Sequence, residues 1–152
     1  MKNSRKNIPR SSNASAGEPP ADDFNALDKG GLHHLADRLL FDEPAAIMAC
    51  IEFIEAETKG IWHGRARAMM CRRLKHCSLS SSQRTRLVSC ITERLCSGNF
   101  SEQFRDQLRL ALHLDSTRVF AAARSCVHDH HDYVRRYADW LLTHLPEANG
   151  NA

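Results

Sequence analysis

Six cysteines, nine histidines and a block of cations are the side chains of this 152-residue sequence best suited to chemistry. Cys50, Cys71, Cys77, Cys90, Cys96 and Cys126 are spread through apolar-periodic segments without a CxxC pair, which argues against a disulfide scaffold. Free cysteines placed this way act as small buried hydrophobes, and Cys50, Cys90 and Cys126 fall on faces expected to pack. A Cys/His dyad of Cys71, Cys77 or Cys90 with His63 or His76 is available by chance to any chain this rich in both. His128, His130 and His131 alternate with Asp129 and Asp132, and neutral imidazole beside carboxylate suits Zn²⁺ or Ni²⁺. That stretch also lies at a helix-to-helix junction, where the two aspartates serve as caps, so no metal ligand is assigned. His33, His34, His63, His76, His113 and His144 make no HExxH pattern, and the chain has no Gly-rich phosphate loop or GxSxG elbow. No catalytic residue or cofactor is expected, and the chain reads as non-enzymatic.

Charge is the more informative feature. The formal net charge is +3, with 21 Lys+Arg against 18 Asp+Glu, but the signs are segregated. Residues 18–57 hold ten acids and two bases, whereas residues 58–92 hold eight bases and no acid. The candidate anion- or partner-binding residues come from that basic block: Arg65, Arg67, Arg72, Lys75, Arg84 and Arg86. At 100° per residue, Arg65, Arg72 and Lys75 share a stripe with Ala68, away from the apolar face. Arg73 points into that face and needs an acid or a route to solvent. Arg84 and Arg86 open the next helix, where they would extend the patch. Several convergent cations suit a phosphate or an acidic protein surface, since each guanidinium offers a bidentate fork. The competing arrangement is internal neutralisation, with Glu52, Glu55 and Glu57 meeting Arg65, Arg72 or Lys75 as surface pairs of small value.

These residues must be positioned by helices. Aromatics make up 7% of the chain and β-branched residues are scarce, which disfavours a sandwich or barrel; no apolar run approaches the roughly 18 residues of a membrane span. Residues 1–22 have almost no apolar content and are expected to be a disordered polar tail, and residues 147–152 a frayed end. Between them, residues 23–146 read as six to seven amphipathic helices beginning near 25, 43, 62, 81, 100, 116 and 131. Gly30-Gly31 is a candidate break in the first. Asp42 precedes Pro44 as a cap for the second. Ser80-x-x-Gln83 and Asn99-x-x-Glu102 are capping boxes, and Ser97-Gly98 is a stop. Asp115 and Asp129 cap the last two. Trp62 falls on the apolar face of the third helix, as a core residue before anything else. Tyr133, Trp140 and His144 form a second stripe that should leave the last helix largely buried.

Near-equal helices joined by short turns are the pattern of an α-solenoid. Arg65, Arg67, Cys71, Cys77 and Ser78 line up with Arg84, Arg86, Cys90, Cys96 and Ser97 at an offset of 19. The segment Asp129-His130-His131-Asp132-Tyr133-Val134-Arg135-Arg136-Tyr137-Ala138 resembles the second-helix signature of HEAT repeats. Asp115-Ser116-Thr117-Arg118-Val119 with Ala122 looks like a degraded copy. The resemblance implies a right-handed HEAT-like (armadillo-type) solenoid of about three helix pairs; the alternative is a compact helical bundle. HEAT-like alkylpurine DNA glycosylases hold duplex DNA on a basic concave face of such a fold, but their catalytic residues have no counterpart here. Trp140–His144 is similar to part of the last hemerythrin helix, without that family's His-x3-Glu and His-x3-His.

The expected function is therefore an interaction module presenting a basic helical surface to a protein partner, with nucleic acid as the alternative. No membrane partner is expected. The basic N-terminus lacks an apolar h-region, which points to a cytoplasmic chain with reduced thiols, although its Ser/Asn-rich composition also resembles type III secretion leaders.

Overall fold

The computed structural model describes Phe24, residues 27–100 and residues 103–146. The tails expected at 1–22 and 147–152 lie outside these residues. Among the described residues there are seven α-helices and no strand: α1 (Lys29–Arg38), α2 (Pro44–Ala56), α3 (His63–Leu74), α4 (Ser81–Ser97), α5 (Arg105–Leu114), α6 (Ser116–Ser125) and α7 (Asp132–Leu142). A 3₁₀ turn, Leu39–Phe41, links α1 to α2. No described helix is long and apolar enough to cross a membrane.

Where the expected end signals hold, they hold in atomic detail. The Ser80 side chain accepts from the Gln83 backbone N–H, while the Gln83 side chain accepts from the Ser80 N–H. Each such reciprocal contact satisfies a helix-end donor, and a cap of this kind is worth about 1 kcal/mol. Asp115 accepts from the Arg118 N–H at 3.2 Å. Gly98 ends α4 at φ 73°, and a Cβ there would meet the Tyr133 hydroxyl at 3.1 Å and His131 Nδ1 at 3.2 Å. Only glycine fits both the left-handed backbone and the close approach of α7.

Four expectations are corrected. Gly30-Gly31 does not break α1; both lie in its first turn, because Asp28 caps the helix by accepting from the Gly31 N–H at 2.8 Å. Asp42 does not cap α2; its carboxylate is turned to the Ser78 N–H at 2.8 Å, and Glu43 occupies the cap position. The Asn99 capping box does not open α5, which begins at Arg105, while Asn99 donates to Ser97 Oγ and Glu102 lies outside the described residues. Asp129 does not cap α7; it accepts from the backbone N–H and the ring of His131, which itself holds the cap position. For Asp42 and Asp129, the side chain accepts from a donor outside the helix it was expected to cap.

The odd-numbered helices stack in one row, α1 on α3 and α3 on α5, and the even-numbered helices stack in another, α2 on α4 and α4 on α6. α7 packs on α6, while its Tyr137 and Trp140 meet Phe104 and Arg105 at the start of α5. Between the rows lies one continuous apolar core, including Phe24, Phe53, Ile54, Met70, Leu87, Ile91, Leu108 and Val134. Burying each such side chain contributes on the order of 1.5–3 kcal/mol. The last helix is less buried than its second stripe implied. Val134, Ala138 and Leu141 are buried, but Tyr133 and His144 are exposed and Trp140 is half-covered. Among the described residues, no helix follows α7 to cover that stripe.

Candidate interaction surface at the start of α3

The loop between α2 and α3 begins where Glu57 adopts φ 52° and ends where Trp62 adopts φ 72°. Non-glycine residues in this region are uncommon, and for a residue as bulky as Trp the conformation is strained. Its cause is visible underneath. His63 is 1% exposed, with Nδ1 hydrogen-bonded to Thr58 Oγ1 and its ring edge-on to Phe53 at 5.2 Å. Gly60 lies against that ring, where a Cβ would sit 2.7 Å from Nε2. Burial holds the His63 imidazole below its ordinary pKa of 6.5, so it is neutral near pH 7. Arg67, 2% exposed, donates to the Thr58 carbonyl at 2.7 Å. The loop is thus tied down at Thr58, Gly60 and His63, and the residues between are pushed outward.

Those residues are Ile61, 82% exposed, and Trp62, 40% exposed. The placement of Trp62 in the core is therefore corrected: the α2–α3 loop turns left-handed at this residue, so its side chain leaves the apolar face before α3 begins. Lys29 Nζ sits 4.3 Å from the centre of the indole, and the Arg65 guanidinium lies 5.4 Å from it. Beside the ring, a concavity of about 410 Å³ is lined by Lys59, Gly60, Ile61, Trp62, Gly64, Arg65, Arg67 and Gln103. Gln103 also has a left-handed backbone, φ 65°. On its other side, Lys29, Leu32, His33, Trp62, Arg65, Ala66 and Met69 line a second hollow of about 190 Å³.

The six cations singled out by sequence do not share this surface. Arg65 is exposed within it. Arg67 is an interior group, 3.8 Å from the Glu57 carboxylate, which Arg94 approaches to 3.0 Å. Burial lowers the Arg67 pKa and Glu57 counteracts that shift. Arg94 also donates to Gln107 at 3.0 Å and to the Glu55 carbonyl at 2.8 Å, so α2, α3, α4 and α5 are joined through one polar cluster. Arg72 pairs with Asp106 on α5 at 2.8 Å. Ala68 is buried as well, so the stripe assigned to solvent is partly covered by α5. Lys75 caps the far end of α3, ten residues beyond Arg65 and about 15 Å along the axis. Arg84 donates to the Leu114 carbonyl at 3.3 Å, and Arg86 forms a two-pronged pair with Glu55 at 2.7 and 3.1 Å. Internal neutralisation is thus extensive, but its partners differ from the expected ones: Glu55 takes Arg86, Glu57 takes Arg67 and Arg94, and Arg72 takes Asp106. Arg73 meets Asp37 at 2.9 Å, as the apolar-face placement required.

Lys29, Lys59, Ile61 and Gln103 were not among the sequence candidates. The one available signal was Ile61-Trp62 beside Lys59-Gly60, an apolar pair directly after a helix stop.

Of the histidine cluster, Asp129, His130 and His131 each place one ligand atom within 4.8 Å of the others. The Asp129–His131 contacts already described account for that geometry as a turn. Burial raises the thiol pKa of Cys77 to about 11 and raises those of Cys71 and Cys90, so none of the three is an activated nucleophile. Cys50 and Cys126 are buried as expected, whereas Cys90 is half-covered.

No family model, no curated protein and no solved structure matches this chain.

Proposed function

We propose that this chain is a non-enzymatic interaction module, a HEAT-like solenoid whose contact surface is the Trp62 edge of the α1–α3–α5 row. The row-on-row stacking of alternate helices supports the solenoid reading. The observation that carries the function is Trp62 itself. It is a partly exposed indole in a strained backbone conformation, fixed by a buried loop and flanked by Lys29, Lys59 and Arg65. Rigid exposed Trp beside Arg is the composition of binding hot spots. Strain of order 1–3 kcal/mol persists only where the surroundings enforce it.

The partner is an acidic protein segment carrying an apolar anchor residue. Three cations suit carboxylates, and Ile61 and Trp62 suit the anchor. A nucleic-acid backbone would leave Ile61 without a complementary group, and most remaining cations of the basic block already hold carboxylates or carbonyls.

The test is fluorescence anisotropy with a labelled peptide of alternating Glu and Asp interrupted by Leu and Phe. Binding should fall at least tenfold in Trp62→Ala and several-fold in Arg65→Ala, with a shallow salt dependence set by about three cations. Duplex DNA and single-stranded RNA are titrated beside it from about 50 to about 200 mM salt. Tight, steeply salt-dependent nucleic-acid binding without peptide binding would replace this reading with the nucleic-acid one. An unchanged affinity in Trp62→Ala would overturn the assignment of the surface.

A further inference from the structure

Where the C-terminal ends of α4 and α6 lie side by side, two thiols from distant parts of the sequence meet. Cys96 lies in the last turn of α4 and Cys126 directly follows α6, and Cys126 Sγ donates to Cys96 Sγ at 3.3 Å. Ser125 Oγ stands 3.8 Å from both sulfurs. The backbone on each side is anchored. Tyr133 donates to the Gly98 carbonyl at 2.9 Å, the Asp129 N–H donates to the Cys126 carbonyl at 3.1 Å, and α4 packs directly on α6.

We propose that Cys96 and Cys126 are an oxidisable dithiol, modified by small disulfides of the oxidised-glutathione class and closing a bridge between the C-terminal ends of α4 and α6. Three features distinguish this pair from the other four cysteines. Cys96 is the exposed thiol among the six, so it is the sulfur a small molecule reaches. Cys126 is buried against it and positioned to resolve. The S–H of Cys126 points at the Cys96 sulfur, so the two sulfurs already face each other across the helix pair. Burial pushes the Cys126 thiol up to about 11, in keeping with Cys96 reacting first. No catalyst drives the exchange, so it is expected over minutes to hours rather than seconds.

The chemistry is two successive exchanges. Cys96 gives its proton to solvent, and its thiolate attacks one sulfur of the small disulfide. That S–S bond breaks, a Cys96 mixed disulfide forms, and one small thiolate leaves and takes up a proton. Cys126 then loses its proton to solvent and attacks Cys96 Sγ, expelling the second small thiolate. Two protein thiols are oxidised by two electrons, and one small disulfide is reduced to two thiols. The bridge would close a loop of about 30 residues and tie the C-terminal ends of α4 and α6 together.

The experiment treats the full chain, first fully reduced, with oxidised glutathione. The reaction is quenched with acid, remaining thiols are alkylated in denaturant, and the products are read by intact mass and peptide mapping. Expected are the loss of two alkylatable thiols, one cross-link joining the Cys96 and Cys126 peptides, and a reducible rise in Tm on the order of 5–10 °C. Cys126→Ser should accumulate a single glutathione adduct on Cys96. Cys96→Ser, at an exposed position, should keep its helical circular dichroism and form no bridge at Cys126, so the test survives if Cys126→Ser fails to fold. The proposal is overturned if all six thiols stay alkylatable, if Cys96 stops at the mixed disulfide in the unaltered chain, or if the cross-link joins other cysteines. An equal yield of the same bridge in guanidinium would also overturn it, since the fold would then not be selecting the pair.

Discussion

Arg65 and Arg67 stand two residues apart on α3 and have opposite roles. Arg65 lies over the exposed edge of Trp62, with no carboxylate partner among the described contacts. Arg67 lies inside the protein between Glu57, the Thr58 carbonyl and the Phe53 ring. The difference is a rotation of about 200° around the helix, which turns one guanidinium to solvent and the other into the space between the helix rows. A cation at the surface keeps its hydration and remains available to a ligand. A cation in the interior has lost that hydration and is held by whatever replaced it. Counting basic residues in a segment therefore overstates a binding surface. Here Arg67, Arg72, Arg73 and Arg86 serve cohesion, while Arg65, Lys29 and Lys59 are left exposed for the proposed contact.

The largest expected effect separates these two arginines directly. Arg67→Met strips the Thr58 carbonyl of its donor and removes one cation from the Glu57 cluster; it should cost about 3 kcal/mol in urea denaturation, against less than about 0.5 kcal/mol for Arg65→Met. Similar costs for the two would erase the distinction. Next comes Gly60→Ala, whose Cβ meets the His63 ring; overpacking there should cost about 1–3 kcal/mol and change the tryptophan emission of the folded chain. A stability loss with unchanged emission would mean that the loop does not set the exposure of Trp62. Arg86→Ala breaks a half-exposed pair with Glu55 and should cost roughly 0.5–1 kcal/mol, shrinking as salt rises. The smallest effect is a pH slope. The folded His63 pKa is depressed below 6.5, so between the two values the unfolded chain binds the extra proton. Stability should be fully present above about pH 6.5 and decline as pH falls through the folded value. His63→Gln should flatten that part of the curve, and an identical slope in both proteins would show that another group causes it.

Much of the helix punctuation was legible in advance because its chemistry is local. Ser80 with Gln83, Asp115 with Arg118 and Gly98 at its stop each act within four residues, so spacing alone identifies them. Asp42 and Asp129 show the limit. Both are good caps by type, yet Asp42 found the Ser78 N–H across a turn from another helix, and Asp129 found His131 within its own turn. The candidate site was less legible still. Arg65 was visible as a cation on a solvent stripe, but nothing in the local pattern distinguished it from Arg72, which α5 reaches through Asp106. Trp62 was misplaced because helical periodicity was carried one residue beyond the point where the backbone turns left-handed.

By itself, the sequence determined that the chain is helical, where most helices begin and end, and which stripes carry the apolar core. Those properties rest on periodicity and on hydrogen bonds that span one turn. Only the tertiary structure decided which charges were consumed and which were left over. That outcome depends on which helices stack, since a carboxylate 30 or more residues away neutralises an arginine as readily as a neighbour once packing brings them within 3 Å. The same stacking brought Cys96 to Cys126 and left Trp62 at an edge, and neither is written in the spacing of the chain.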